Sequence, residues 1–274
     1  MTHNINSSNI QFYKYQGAGN DFILIDHRVS PLENIDQGRV KALCDRRFGI
    51  GGDGLMFLTA HPHYDFEMHY FNADGNPGSM CGNGGRCIVA FAKHLNIINK
   101  ETNFLAVDGP HYAKITEDGN WVDLQMIDVD LIQRDGNAFV LNTGSPHYVQ
   151  QVANLNQMDV YSAGKNIRYN DTYRDKGINV NFVEDHKSYL SVRTYERGVE
   201  DETFACGTGV TAVALSIAQQ NQKTGHIITP VKVLGGDLNI HFNYDGQLFT
   251  EIFLEGPAKQ VFEGDVEIIE SLSH

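Results

Sequence analysis

The sequence is short of several things, and each shortage narrows what the chain can be. No run approaches the roughly 20 consecutive apolar residues of a membrane-spanning helix. The opening MTHNINSSNIQ is polar and lacks the basic segment and apolar stretch of a secretory signal. A cytoplasmic protein is expected, with no membrane partner. Positive charge is scarce: 21 Lys and Arg against 34 Asp and Glu leave a net charge of −13. That excludes a general nucleic-acid binder, which needs a basic face to release counterions. It leaves room for a small anionic substrate, because a buried site answers to local donors rather than to net charge. Only four cysteines occur, Cys44, Cys81, Cys87 and Cys206, and none are spaced CxxC. A zinc knuckle or thioredoxin-type centre is therefore not expected, and in a reducing cytosol these are thiols. No metal-ligand or pyridoxal-lysine motif is visible, so neither metal nor cofactor is expected. No Pro- or Ser-rich linker divides the 274 residues.

What is present is a duplication. Short alternating strands dominate, and each half of the chain surrounds one very apolar helix with them: GRCIVAFAKHL in the first half, CGTGVTAVALSIAQQ in the second. A further helical pattern, GRVKALCDRRF, runs up to Gly49, and a short helix is expected over 159–165. This is the plan of an α+β protein built from two similar domains, each a mixed or antiparallel sheet curled round a central helix. The boundary is expected within 126–131. The domains are 1–127 with Cys81, 128–262 with Cys206, and a terminal strand, 263–274, returning to the first. The site is expected at their interface.

Each central helix opens on the same phrase, CGNGG at Cys81 and CGTGV at Cys206. The first turn of a helix has N–H groups without intrahelical partners, and the dipole adds positive charge there. A thiol so placed ionises more easily, and the amides of Gly82, Asn83, Gly207 and Thr208 can hold a carboxylate. Glycine lets that ligand approach the backbone. One such site could hold a nucleophile. A facing pair suits inversion of a stereocentre: a thiolate removes hydrogen from one side and a thiol returns one from the other. Cys44 and Cys87 fall within apolar helical patterns and read as packing residues.

Other polar residues stand at strand ends: Asn20 in GAGNDF, Asn72 in FNADG, His147 in SPHY, Asn179 in NVNF, and Glu196-Arg197 in YERG. The Arg197 fork suits a carboxylate, and His147 or Glu196 could take the proton from a thiol.

Together these motifs resemble the diaminopimelate epimerase family. GAGNDF, GIGGDG, FNADG, MCGNGGRC, SPH, NVNF, YERGVEDETFACGTG and GPAKQVFEG follow in that family's order over nearly the whole chain. The resemblance implies a pyridoxal-independent, metal-free interconversion of LL- and meso-diaminopimelate in lysine and peptidoglycan-precursor synthesis. By position it implies Cys81 and Cys206 as the acid/base pair and His147 and Glu196 as residues that set their protonation. The amides of Gly82, Asn83, Gly207 and Thr208 would hold the reacting centre's carboxylate. Asn20, Asn72, Asn179, Glu196 and Arg197 would bind the amino and carboxylate groups. Ser145 stands where many members carry Asn, and Gly54 where some carry Gln, so neither is assigned a contact.

A proline or hydroxyproline racemase is the nearest rival, but proline has no distal zwitterionic head for the Asn and Glu-Arg set. A thiol hydrolase using one cysteine with His147 would leave the second copy idle, as would a binding protein without turnover. A homodimer is compatible with the sequence.

Overall fold

In the computed structural model, residues 7–29, 35–78 and 80–269 are described. The first half runs β1 (Ser7–Gly17), β2 (Asn20–Asp26), α1 (Gln37–Cys44), β3 (Gly54–Thr59), β4 (Phe66–Asn72), α2 (Gly82–His94), β5 (Glu101–Ala106), β6 (Gly109–Ile115) and β7 (Trp121–Gln125). The second runs β8 (Ile132–Asp135), β9 (Ala138–Asn142), β10 (Pro146–Gln151), α3 (Val160–Arg168), β11 (Asn179–Asp185), β12 (Leu190–Glu196), β13 (Asp201–Thr203), α4 (Gly207–Gln220), β14 (Gly225–Val233), β15 (Gly236–Tyr244) and β16 (Phe249–Pro257). A last strand, β17 (Lys259–Ile269), ends the described chain. Residues 270–274 of the expected terminal strand lie outside the described residues.

Period-two alternation explains why one strand serves two layers. On β2, Phe22 and Leu24 point inward with Met56, Phe66, Phe104 and Leu124, packing round Ile88 and Phe91 of α2. Ile23 and Ile25 point outward and are covered by Val40 and Leu43 of α1. The second half repeats this. Val183 and Val192 join Phe139, Ile240, Phe242 and Leu254 around Val213 and Leu215 of α4. Val180, Phe182 and Tyr195 face outward under Val160 of α3. Because most of α4 is enclosed, its buried hydroxyls bond within the helix: Thr211 Oγ1 donates to Gly207 O (3.0 Å) and Ser216 Oγ to Ala212 O (2.7 Å).

Strand pairing repeats as well. From β1 to β7, successive neighbours pair antiparallel, parallel, antiparallel, parallel, antiparallel, antiparallel. The series β9, β10, β11, β12, β14, β15, β16 follows the same order. The two series join where β16 pairs antiparallel with β7, Pro257 opposite Trp121. β17 lies antiparallel along β1, and β8 lies antiparallel along β9.

The expected helix up to Gly49 stops at Cys44. Asp45 turns the chain there, its Oδ1 accepting the N–H groups of Arg47 (2.7 Å) and Phe48 (2.8 Å). No helix among the described residues is long and apolar enough to cross a membrane.

Candidate active site

Two kinds of helix start coexist. α1 and α3 begin on aspartates that cap them: Asp36 accepts from Arg39 N–H (2.8 Å) and Asp159 from Ser162 N–H (3.0 Å). α2 and α4 begin on Cys81 and Cys206, whose side chains make no capping hydrogen bond. The first bonds within these helices are Gly85 N–H to Cys81 O (2.7 Å) and Val210 N–H to Cys206 O (2.9 Å). The amides before them, those of Gly82 and Asn83 in one copy and of Gly207 and Thr208 in the other, make no bond within the helix and point toward its open end.

The two uncapped starts abut. A methyl added at Gly82 would sit 3.5 Å from Gly207 Cα, and one at Gly207 would sit 3.3 Å from Gly82 Cα. The same additions would strike Leu254 Cδ2 at 2.9 and 2.8 Å, so one leucine of β16 seals both starts from behind. Asn83 bridges the halves, its Nδ2 donating to Asn20 Oδ1 (2.6 Å) and to Ala205 O (3.3 Å), beside Cys206.

Glu196, at the end of β12, acts electrostatically on both thiols. Burial pushes each thiol above its ordinary range, and the Glu196 carboxylate pushes both further. At Cys81 the Gly84 and Asn83 N–H groups and the Arg86 charge oppose this. At Cys206 the opposition comes from Thr208, whose Oγ1 is 3.6 Å from the sulfur, and from the Gly209 N–H. Burial raises the Glu196 carboxyl itself, against a hydrogen bond from Thr203 Oγ1 (2.9 Å). All four cysteines are free thiols.

His147 is fully buried, beside Asn179 across the β10–β11 pair. Burial, with the Arg197 charge second, brings its pKa down to about 3, so the ring is neutral. Asn181 Nδ2 donates to Tyr148 O (3.0 Å), and Asn181 Oδ1 accepts from Thr194 Oγ1 (2.9 Å), which fixes the amide's orientation. The second N–H of that Nδ2 therefore meets His147 Nδ1 (3.1 Å), and the imidazole proton is assigned to Nε2, which has no partner. A methyl at Gly209 would lie 2.4 Å from Asn181 Oδ1 and 3.3 Å from Cys206 Sγ, so the His147–Asn181 pair belongs to the Cys206 side. With Nε2 as a donor, His147 in this arrangement offers a hydrogen bond rather than a base.

The remaining expected residues divide by how much hydrogen-bonding capacity is free. Asn72, at the end of β4, makes no side-chain hydrogen bond among the described residues, and its Oδ1 lies 3.1 Å from where a Gly78 methyl would be. Asn20 donates to Asp53 Oδ2 (2.9 Å) and accepts from Asn83, keeping one N–H free. Asn179 has both N–H groups in use: Nδ2 donates to Ser145 Oγ (2.9 Å) and Pro146 O (3.1 Å), and Oδ1 accepts the Arg197 N–H (2.9 Å). The exposed Arg197 guanidinium reaches Lys176 O (3.2 Å) and Ser145 Oγ (3.3 Å). Ser145, left unassigned from the sequence, thus links Asn179 to Arg197. Gly54 makes room for Tyr70, whose ring would be 2.4 Å from a methyl there.

Sequence reasoning missed Asn181, Arg86 and Asp53. Asn181 had a signal, since NVNF sets two asparagines on one face of a buried strand. Arg86 had one too, as the one charge in the apolar part of its helix before Lys93. Among the described residues no group of three or more His, Cys, Asp or Glu is placed to hold a metal ion.

The family model described as diaminopimelate epimerase matches residues 12–132 and 139–261. The diaminopimelate epimerase of Flavobacterium psychrophilum is 50% identical over 255 residues, covering 93% of this chain and 99% of its own. That of Chlorobaculum tepidum is 45% identical, covering 92% and 99%. That of Aquifex aeolicus is 36% identical, covering 93% and 97%. Among solved structures, a Bacillus anthracis phenazine biosynthesis protein of the PhzF family superposes with a TM-score of 0.76 at 13% identity, covering 94% of this chain and 99% of that one. A hydroxyproline epimerase from Agrobacterium vitis with bound trans-4-hydroxy-L-proline superposes at 0.70 and 12% identity, covering 95% and 92%. At such identities the likeness is one of fold.

Proposed function

This chain belongs to the diaminopimelate epimerase family, and from that premise we propose that Cys81 and Cys206 carry its reaction as a two-base pair. The reaction is the epimerisation of LL-diaminopimelate to meso-diaminopimelate, a step toward lysine. The observation that carries the assignment is the contact of two uncapped, cysteine-headed helix starts at Gly82 and Gly207.

In this reading the substrate carboxylate accepts hydrogen bonds from the amides of Gly82, Asn83, Gly207 and Thr208. The adjacent carbon then lies between the sulfurs. A thiolate on one side takes the Cα proton, and the electron pair left behind spreads into the carboxylate, where the two helix dipoles favour it. The opposite thiol gives its proton to the other face. One C–H bond breaks, another forms, and the two sulfurs exchange protonation states. Glu196 is suited to take the proton that creates the thiolate, because protonating it removes the negative charge that opposes ionisation of both sulfurs. The His147 Nε2–H serves as a fixed donor. Asn20, Asn72, Asn179, Glu196 and Arg197 are assigned to the amino and carboxylate groups, with Asn179 acting through its hold on Ser145 and Arg197.

We take 1–127 and 128–262 as the two lobes, with 263–274 returning to the first, on the support of two separate helix-centred cores. A cytoplasmic location is supported by the four free thiols. The relatives at 36–50% identity are diaminopimelate epimerases, so the proline-racemase reading has less support.

Cys81→Ala and Cys206→Ala are each expected to cut the epimerisation rate by at least about 10²–10⁴-fold, with LL- and meso-diaminopimelate followed separately for solvent deuterium uptake. Near-wild-type epimerisation in either variant would end the two-base assignment.

A further inference from the structure

Arg86 lies one turn into α2 and is 0% exposed. Its guanidinium donates to Gly82 O (3.2 Å) and Asn83 Oδ1 (2.8 Å), both neutral acceptors, and its Nε has no partner. No carboxylate pairs with it among the described residues. The place is built for it: Gly256 on β16 would, with a methyl, stand 3.0 Å from Nε and 3.2 Å from Cζ.

Such a cation is costly twice over. A buried charge without a counter-charge loses its hydration and regains little. Helical side chains also lean toward the N-terminus, so this one carries its charge to the end where the dipole is already positive. An anion at that helix start relieves both costs. The residue that caps the start, one position before Gly82, is Cys81.

We propose that Arg86 is a positioning residue for the epimerisation, its buried guanidinium supplying the positive charge against which negative charge on Cys81 is held. The titratable groups facing Cys81 are Glu196 from β12, Cys206 from the start of α4, Tyr70 from β4, and Arg86 and the buried thiol Cys87 from its own helix, and Cys87 also feels the Arg86 charge. Of these only Arg86 is cationic. It balances Glu196, and it also holds the Asn83 side chain that reaches across to Ala205. The proposal rests on Cys81 being one of the acid/base pair.

Two variants of the full chain separate charge from shape. Arg86→Met keeps an unbranched apolar stem but removes the guanidinium and its charge, whereas Arg86→Lys keeps the charge and gives up the fork. The rate of iodoacetamide alkylation at each cysteine against pH, resolved by peptide mass mapping, reads the thiolate fraction sulfur by sulfur. Arg86→Met is expected to raise the half-maximal pH at Cys81 by about one unit or more, a roughly tenfold loss of thiolate at fixed pH. Cys206 moves less, kcat falls with KM little changed, and Arg86→Lys restores most of both. A folded Arg86→Met with the wild-type Cys81 profile overturns the proposal. So does a rise in KM alone, which assigns the charge to the substrate carboxylate. If Arg86→Met does not fold, Arg86→Lys decides: a wild-type Cys81 profile supports the proposal, and a full-unit upward displacement with the charge still present defeats it. An inactive Cys81→Ala beside an unmoved Arg86→Met profile removes this inference alone. An active Cys81→Ala removes the two-base reading with it.

Discussion

His147 shows how one buried side chain makes the whole chain sensitive to acid. The unfolded chain binds the imidazole proton near the ordinary value of about 6.5, while the folded ring waits until about 3. Between those values the unfolded state holds more protons, so this contribution is complete above about 6.5 and is lost as pH falls toward 3. From pH 6.5 to 5 the loss is about 1–2 kcal/mol. His147→Asn should therefore show a shallower drop in melting temperature over that interval than the wild type. Equal slopes would mean that other groups dominate acid unfolding. Single residues were legible from sequence where their meaning is local. A cysteine followed by glycines and an apolar run marks a helix start, and Cys81 and Cys206 do stand at N-cap positions. Asn181 and Asp53 were not legible, because what they do is orient another side chain. Asn181 sets the tautomer of a histidine 34 positions away, and Asp53 holds the Asn20 amide at 2.9 Å. Only the folded neighbourhood contains that information.

At the scale of the element, the decisive feature is how closely α2 and α4 approach end to end. Two glycines permit it, and Leu254 fills the space behind them. Gly82→Ala and Gly207→Ala should each cost about 1–3 kcal/mol, as overpacked interiors do, and should lower kcat because the helix starts are forced apart. Thermal melts and steady-state rates would check both, and an unchanged melting temperature would mean that Leu254 yields freely. Most strands were readable from alternation, and the apolar central helices from their unbroken hydrophobic runs. The end of α1 was not. GRVKALCDRRF keeps a helical pattern past Cys44, but the Asp45 carboxylate offers the backbone a competing turn. The short β8 and β13 were also missed, since three or four residues carry too little periodicity.

Across the whole molecule, the repeated pairing order explains the placement of the last strand. Each half has a first strand needing a neighbour on its outer side. The second half receives β8, which precedes it in the chain, whereas the first half receives β17 from the far end. Deleting residues 259–274 would remove the outer partner of β1 along Ser7–Gln16, leaving it paired to β2 only over Tyr13–Gly17, and would uncover Phe12, whose ring meets Phe262 at 5.9 Å. The truncated chain should lose cooperative melting in the first half while α4 and its surroundings stay protected from hydrogen exchange. Uniform loss of protection would mean that the halves stand or fall together. The duplication was readable in the sequence, and a terminal strand was expected to return to the first half; its start at Lys259, its partner β1 and its register were not readable, because strand order is set by long-range packing.

The continuous chain of strands ends at β8 on one side and β17 on the other, and neither has a second neighbour among the described residues. Raw sheet margins invite other molecules to add strands and grow into aggregates. Here one margin spans only Ile132–Asp135, and the other bears Glu263, Asp265 and Glu267 in alternation. Brevity at one rim and like-charge repulsion at the other discourage intermolecular zippering, so the acidic balance of the composition also serves colloidal stability.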